Sequence, residues 1–187
     1  MEKTRCAWVT KDQIYIDYHD NEWGKPVYDD KTLFEFLILE SFQAGLSWLT
    51  ILKKRENFRE AFADFEVKKV ADFTEEKVDE LVQNAGIIRH RGKINAAINN
   101  AKLFIEIQNE FGSFSTFIWN YVNQKPIINH PKSIKEVPAT TEISDQIAKD
   151  LKKRGFKFFG STIIYAHMQA TGMVNDHTTD CFCYTNK

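Results

Sequence analysis

The chain has 187 residues, 25 Lys and Arg against 26 Asp and Glu, 43% hydrophobic residues, 15 Phe and 4 Trp, which suits one globular core and excludes a disordered chain. No run nears the ~18 consecutive apolar residues of a membrane span, and stretches such as 36–39 are far too short. Residues 1–6 offer no apolar leader, so a cytoplasmic protein is expected, its three cysteines reduced and free for metal ligation, reactivity or burial.

Asp29 and Asp30 open a predicted helix in which Leu33, Phe36, Leu37 and Ala44 recur at helical spacing until Gly45 stops it. Ser47 is a natural N-cap for the next, with Trp48, Ile51, Leu52, Arg55, Phe58 and Phe62 on neighbouring turns. Thr74 precedes Glu75 and Glu76, which favour the positive end of a helix dipole, and Val78, Leu81 and Val82 form the apolar stripe behind them. After a turn at Gly86, a longer pattern over about 89–109 runs through Ile94, Ala97, Ile98, Ala101, Leu103, Phe104 and Ile107. A short helix near 114–122 leads into a proline-rich loop over 123–138, and helices over 141–154 and 161–171 end at Gly155 and Gly172. No alternating strand pairs and no internal repeat are found, so the predicted class is all-α.

A net charge of −1 hides an uneven distribution. Residues 17–40 hold seven acids and two bases, whereas 86–102 hold Arg89, Arg91, Lys93 and Lys102 with no acid, and 149–157 hold five bases around Asp150 alone. Either basic run suits a solvated helix face or a phosphate-binding surface.

Three groups of residues could carry chemistry. Cys6, His19 and the sequence His177-Thr178-Thr179-Asp180-Cys181, with Cys183 two residues on, suggest a zinc site, because two thiolates and two imidazoles suit a tetrahedral borderline-soft ion. Residues this far apart are also commonly unrelated; if they do meet, the site is closed, structural and ties the termini together. Glu40 falls on the apolar side of its helix, where burial of an unpaired carboxylate costs several kcal/mol, so it is satisfied by the fold, protonated, or kept for a ligand. Trp48 lies just beyond the following turn, and Trp8, Tyr15, Tyr18 and Trp23 crowd the N-terminal segment; such aromatics serve equally as core or as stacking platforms for a base. The third group runs from Leu81 through Gly86-Ile87-Ile88-Arg89-His90-Arg91-Gly92-Lys93. A glycine turn opening a helix with free amides and three cations can hold a phosphate, or can be a core hairpin with a basic edge.

Cys6-Ala7-Trp8, Tyr18-His19-Asp20-Asn21-Glu22-Trp23-Gly24, Leu39-Glu40-Ser41-Phe42-Gln43-Ala44-Gly45-Leu46-Ser47-Trp48, Ala85 to Ile94, Lys152 to Phe158, and Val174-Asn175-Asp176-His177 with Cys181 span nearly the whole chain. In this combination the sequence resembles the DNA-3-methyladenine glycosylase I family, a zinc-containing branch of the helix-hairpin-helix DNA glycosylases. The resemblance implies a monofunctional base-excision enzyme that flips an alkylated adenine out of double-stranded DNA, hydrolyses its N-glycosidic bond and releases free 3-methyladenine. It implies one structural zinc on Cys6, His19, His177 and Cys181, with Cys183 spare, and Glu40 as the catalytic group of the base pocket. Tyr18 and Trp48 would lie beside the base, Trp8, Tyr15 and Trp23 would form its walls, Leu46 would probe the duplex, and Gly86, Arg89, Arg91 and Lys93 would hold the backbone.

The expected organisation is one monomeric glycosylase unit over 1–187 with no membrane association. It has a helix-hairpin-helix part over about 25–120 and a zinc-stapled part formed by 1–24 with 121–187. One feature departs from the family pattern and two from that of the wider helix-hairpin-helix group. Ser41 stands where glycine often follows the pocket glutamate, and the hairpin reads Gly86-Ile87-Ile88 rather than Gly-apolar-Gly. No Asp matches the catalytic one usual after the hairpin, where Glu106 and Glu110 lie instead. A zinc-stapled DNA-binding module would have no use for Glu40 beside Trp48, a metallohydrolase would need an open metal position, and the deaminase motif of His-x-Glu with Pro-Cys-x-x-Cys is absent.

Overall fold

The computed structural model describes residues 3–43 and 45–184 and is mostly helical. Ala44, expected on the apolar side of its helix, lies outside the described residues. Among those described, α1 covers Gln13–Asn21, α2 Asp30–Gln43, α3 Trp48–Ala61, α4 Val67–Ala71, α5 Glu75–Gln83, α6 Arg91–Phe111, α7 Phe114–Trp119, α8 Glu142–Lys153 and α9 Ser161–Ala170.

The anticipated caps are in place. Asp29 accepts from the Thr32 amide at 2.8 Å, Ser47 caps α3, Thr74 caps α5, and Thr141 forms a capping box with Ser144 at the start of α8. Asp30 instead caps a different helix, taking the Phe114 and Ser115 amides at 2.9 and 2.8 Å and so docking the start of α7 onto the start of α2. The long helix begins at Arg91 rather than Arg89, because His90 is its N-cap and accepts the Lys93 amide at 3.1 Å.

Helix α2 is buried on every side from Leu33 to Phe42, as a helix that is apolar all round must be, and α3, α6, α7 and α9 pack around it. Glu40 therefore sits on a stretch of helix, 33–42, with no solvent face. The main core joins these helices through Phe34, Phe42, Phe58, Phe62, Phe104, Phe114 and Trp119. A second cluster of Cys6, Tyr18, Trp23, Phe36, Leu52, Ala170 and Cys181 brings both ends of the chain against α2 and α3.

Two helices escaped the sequence pattern: α1, whose core-facing residues are aromatic and mixed with acids, and the five-residue α4. The all-α expectation also needs one correction. Ile127–Ile128 (β1) pairs in parallel with Val174–Asn175 (β2), a two-residue ladder too short to show any alternation. The segment after α1 is laid against the end of α9 by Gly24 N–H to Gln169 O and Val27 N–H to Thr171 O, both 3.0 Å. Gly172, at φ +68°, is required there, since a Cβ would come within 2.2 Å of the Lys25 carbonyl carbon.

Candidate active site and metal centre

Helix α1 positions two sites at once. Tyr15 and Tyr18, three residues apart, share one side of it, and His19 turns the other way. Tyr15 and Tyr18 meet Trp8, Trp23, Glu40, Gln43, Trp48, Ile134, Ala166 and Gln169 around a recess of about 200 Å³. Its aromatic walls are mutually packed, with ring centroids 5.0 Å apart for Trp8 with Tyr15 and Trp8 with Trp23, and 5.6 Å for Tyr18 with Trp48. Trp48 is held in turn by Phe36, stacked beneath it at 6.5 Å.

Glu40 is 4% exposed, lines this recess, and has no hydrogen-bond partner among the described residues. Burial pushes its carboxyl up to about 8, which favours the protonated acid near neutral pH. Burial, then the proximity of Glu40, raises the Tyr18 phenol well above its usual value. The Trp48 Nε1–H is likewise buried without an acceptor. A carboxyl group with no partner among the described residues thus lines an aromatic space, the arrangement of a site built for a polar ring rather than a filled core. Ser41, the departure next to Glu40, leaves the recess untouched: its hydroxyl donates back to Ile38 O at 2.7 Å inside its own helix.

Directly behind the Trp8 and Trp23 wall, Cys6, His19, His177 and Cys181 converge, all buried, with ligand atoms within 4.8 Å of one another. The Cys6 Sγ to His177 Nδ1 distance is 3.4 Å, and Cys181 Sγ lies 3.5 Å from both His19 Nε2 and His177 Nδ1. A tetrahedral ion with bonds of about 2.3 Å to sulfur and 2.05 Å to nitrogen has S···N edges of about 3.6 Å, so the four residues fit such an ion. Their outer contacts fix the tautomers in the sense metal binding requires. His19 Nδ1 donates to Asp20 at 2.8 Å, and His177 Nε2 donates to Trp23 O at 3.2 Å. Arg5 grips Asp20 through two nitrogens and draws its carboxyl down to about 2. Gly24 lets the chain pass close by, since a Cβ there would stand 3.1 Å from His177 Nε2.

The turn between α5 and α6 holds the remaining expected residues, and they divide. Gly86 is pinned by Asn84, which accepts its amide at 2.8 Å, and by Lys54 and Asn57 of α3, which donate to its carbonyl. Arg89 is exposed and pairs with no acid among the described residues. Arg91 is exposed but already engages Asp79, with Glu75 at 3.7 Å. Lys93 corrects the expectation of a third phosphate cation. It is 7% exposed and donates from Nζ to Phe42 O at 3.1 Å, neutralising the negative end of α2 instead of facing solvent. Leu46 is 39% exposed at the tip of the turn beyond α2, where Gly45 has φ +86° and Gln43 donates to Leu46 O at 2.8 Å.

Gln43, Ile134, Ala166 and Gln169 of the recess were not legible from the sequence. Ala166 and Gln169 are three residues apart on α9, which puts them on one helix face but does not say what that face meets.

A family model described as methyladenine glycosylase matches residues 8–184. The chain is 53% identical over 180 residues to DNA-3-methyladenine glycosylase 1 of Escherichia coli (strain K12), covering 96% of each. A crystal structure of 3-methyladenine DNA glycosylase I superposes with a TM-score of 0.95 at 52% identity, over 97% of this chain and 100% of the other. A structure addressing 3-methyladenine recognition by the enzyme from Staphylococcus aureus gives 0.94 at 43% identity, over 98% and 97%. With sequence and fold in agreement along nearly its whole length, the chain belongs to the methyladenine glycosylase family.

Proposed function

We propose that this protein is a monofunctional DNA N-glycosylase that excises 3-methyladenine from double-stranded DNA, and that Glu40 reads the positive charge of the methylated base. The observation that carries this reading is the buried, unpartnered carboxyl of Glu40 in an aromatic recess.

Extruding a nucleotide costs a few kcal/mol, and the enzyme must then distinguish the lesion from ordinary adenine. Burial penalises the ionised form of Glu40. A cationic purine supplies the missing opposite charge and draws Glu40 back to the carboxylate, whereas neutral adenine does not. Stacking on Trp48 and Tyr18 adds cation–π attraction of roughly 0.5–2 kcal/mol. Trp8, Tyr15 and Trp23 hold the outline and exclude water. Since 1.4 kcal/mol is about tenfold in rate, modest selective stabilisation suffices for a purine that already leaves readily. Water attacks the sugar as the bond to the cationic base breaks; Glu40 acts by binding and electrostatics, with no separate general base assigned.

We read α5, the Gly86 turn and α6 as the helix-hairpin-helix element, with Arg89 as its freest cation and Arg91 available once it leaves Asp79, and Leu46 as the residue that probes the duplex. Cys6, His19, His177 and Cys181 would hold one zinc ion. A closed four-ligand site supplies rigidity and no open position for chemistry. A cytoplasmic monomer completes the reading. Incubating the purified protein with methylated duplex DNA tests it: free 3-methyladenine and intact strands bearing abasic sites are expected, and absence of any released base contradicts it.

A further inference from the structure

We propose that Gln169 is a specificity-determining residue that tells an adenine-type lesion from a guanine-type one, its side-chain amide oriented by Asp176 so that its carbonyl oxygen is offered to the recess. Asp176 is 2% exposed. It follows β2 directly, and Asn129 N–H to Asn175 O at 3.0 Å extends the pairing beside it. Three donors converge on its carboxylate: Tyr165 Oη and Gln169 Nε2 on Oδ2, both at 2.7 Å, and Asn129 Nδ2 on Oδ1 at 2.6 Å.

A carboxylate only accepts, so the Gln169 amide has one satisfactory orientation. Turning it over would press its Oε1 against Oδ2, acceptor against acceptor, in a buried position. One Nε2 hydrogen is committed to Asp176, and Oε1 takes the side of the amide away from that carboxylate. It has no donor among the described residues and is not sealed in the interior, and Gln169 lines the recess. The recess therefore presents a fixed hydrogen-bond acceptor whose sense is set from behind.

Adenine and guanine differ in what meets such an acceptor. Adenine carries an exocyclic amino donor where guanine carries a carbonyl acceptor. An amino group with two hydrogens can donate to Glu40 and to Gln169 together. The guanine carbonyl would oppose Gln169 Oε1 and leave both desolvated. Sites that hydrogen-bond one substrate group discriminate strongly against the analogue lacking it, and for a charged purine a tenfold or larger effect is expected. This inference rests on the recess holding the flipped base.

The experiment uses duplex DNA methylated to carry both 3-methyladenine and 3-methylguanine, with initial release rates of the two bases compared for wild type and Gln169→Leu. The ratio of adenine-type to guanine-type release is expected to fall about tenfold or more in the variant. Affinities for the two free bases, followed by tryptophan fluorescence, are expected to narrow in parallel. Gln169→Met provides the same readout should the leucine variant not fold. A ratio within about twofold of wild type in a folded variant overturns the role of Gln169. Absence of release by wild type would instead overturn the excision reading itself.

Discussion

A carboxyl group 4% exposed and without a hydrogen-bond partner among the described residues is an expensive thing to keep, and Glu40 leaves a thermodynamic trace of that expense. Its unfolded value is 4.5 and its folded value about 8, so the folded state binds more protons between them. Stability from this group is full below about 4.5 and is lost as pH rises to about 8. Glu40→Gln is therefore expected to flatten the fall of the thermal midpoint across that window while abolishing excision; equal slopes in the two proteins would show that Glu40 is not buried as an acid. Trp48→Ala is expected to lose excision with the fold intact, and wild-type turnover by it would remove Trp48 from the pocket. Glu40 and Trp48 were legible in the sequence because a charge within an apolar helix conflicts with its surroundings wherever the helix packs. Gln169 was not, because glutamine on a helix is unremarkable until its partner Asp176 is seen.

Two elements behave differently from their sequence signature. The α5–α6 turn was recognisable by Gly86 and the following cations, but sequence spacing cannot say which cation turns inward. Lys93 is the third residue of α6 and lies on its buried side, within reach of the end of α2. Arg89→Ala is expected to reduce the salt slope of DNA binding by about one, whereas Lys93→Met is expected to lower thermal stability and leave that slope unchanged. A reduced slope for the Lys93 variant would return that side chain to the DNA surface. The cysteine–histidine residues were readable as ligands only in combination, since 158 positions separate His19 from His177 and α1, which delivers His19, lacks a clean apolar period. Cys181→Ser is expected to lose bound zinc and to lower the thermal midpoint by about 5 °C or more, as loss of a staple worth a few kcal/mol would. An equally stable, metal-free variant would rule the staple out.

Across the whole molecule the recess lies where four remote parts of the chain meet: α1 with its flanking residues, α2 with the first turn of α3, Ile134 before α8, and α9. The clusters of helices and the two basic runs followed from periodicity and composition. The way residues 3–24 fold back against 161–184 did not, because it depends on the Gly24 N–H bond to Gln169 O, Gly172 and the buried cluster of Cys6, His19, His177 and Cys181. The division into a hairpin part over 25–120 and a stapled part formed by the remainder is proposed on the same grounds, with Glu40 contributed by the first and the aromatic walls largely by the second. The most direct measurement is the affinity of the recess for a permanently cationic methylated purine, 3,9-dimethyladeninium, against its neutral counterpart 9-methyladenine, in wild type and Glu40→Gln. Wild type is predicted to favour the cation by about tenfold or more, with that preference largely lost in the variant. Equal affinities in wild type, or a preference that survives in Glu40→Gln, would contradict recognition of the base through its charge.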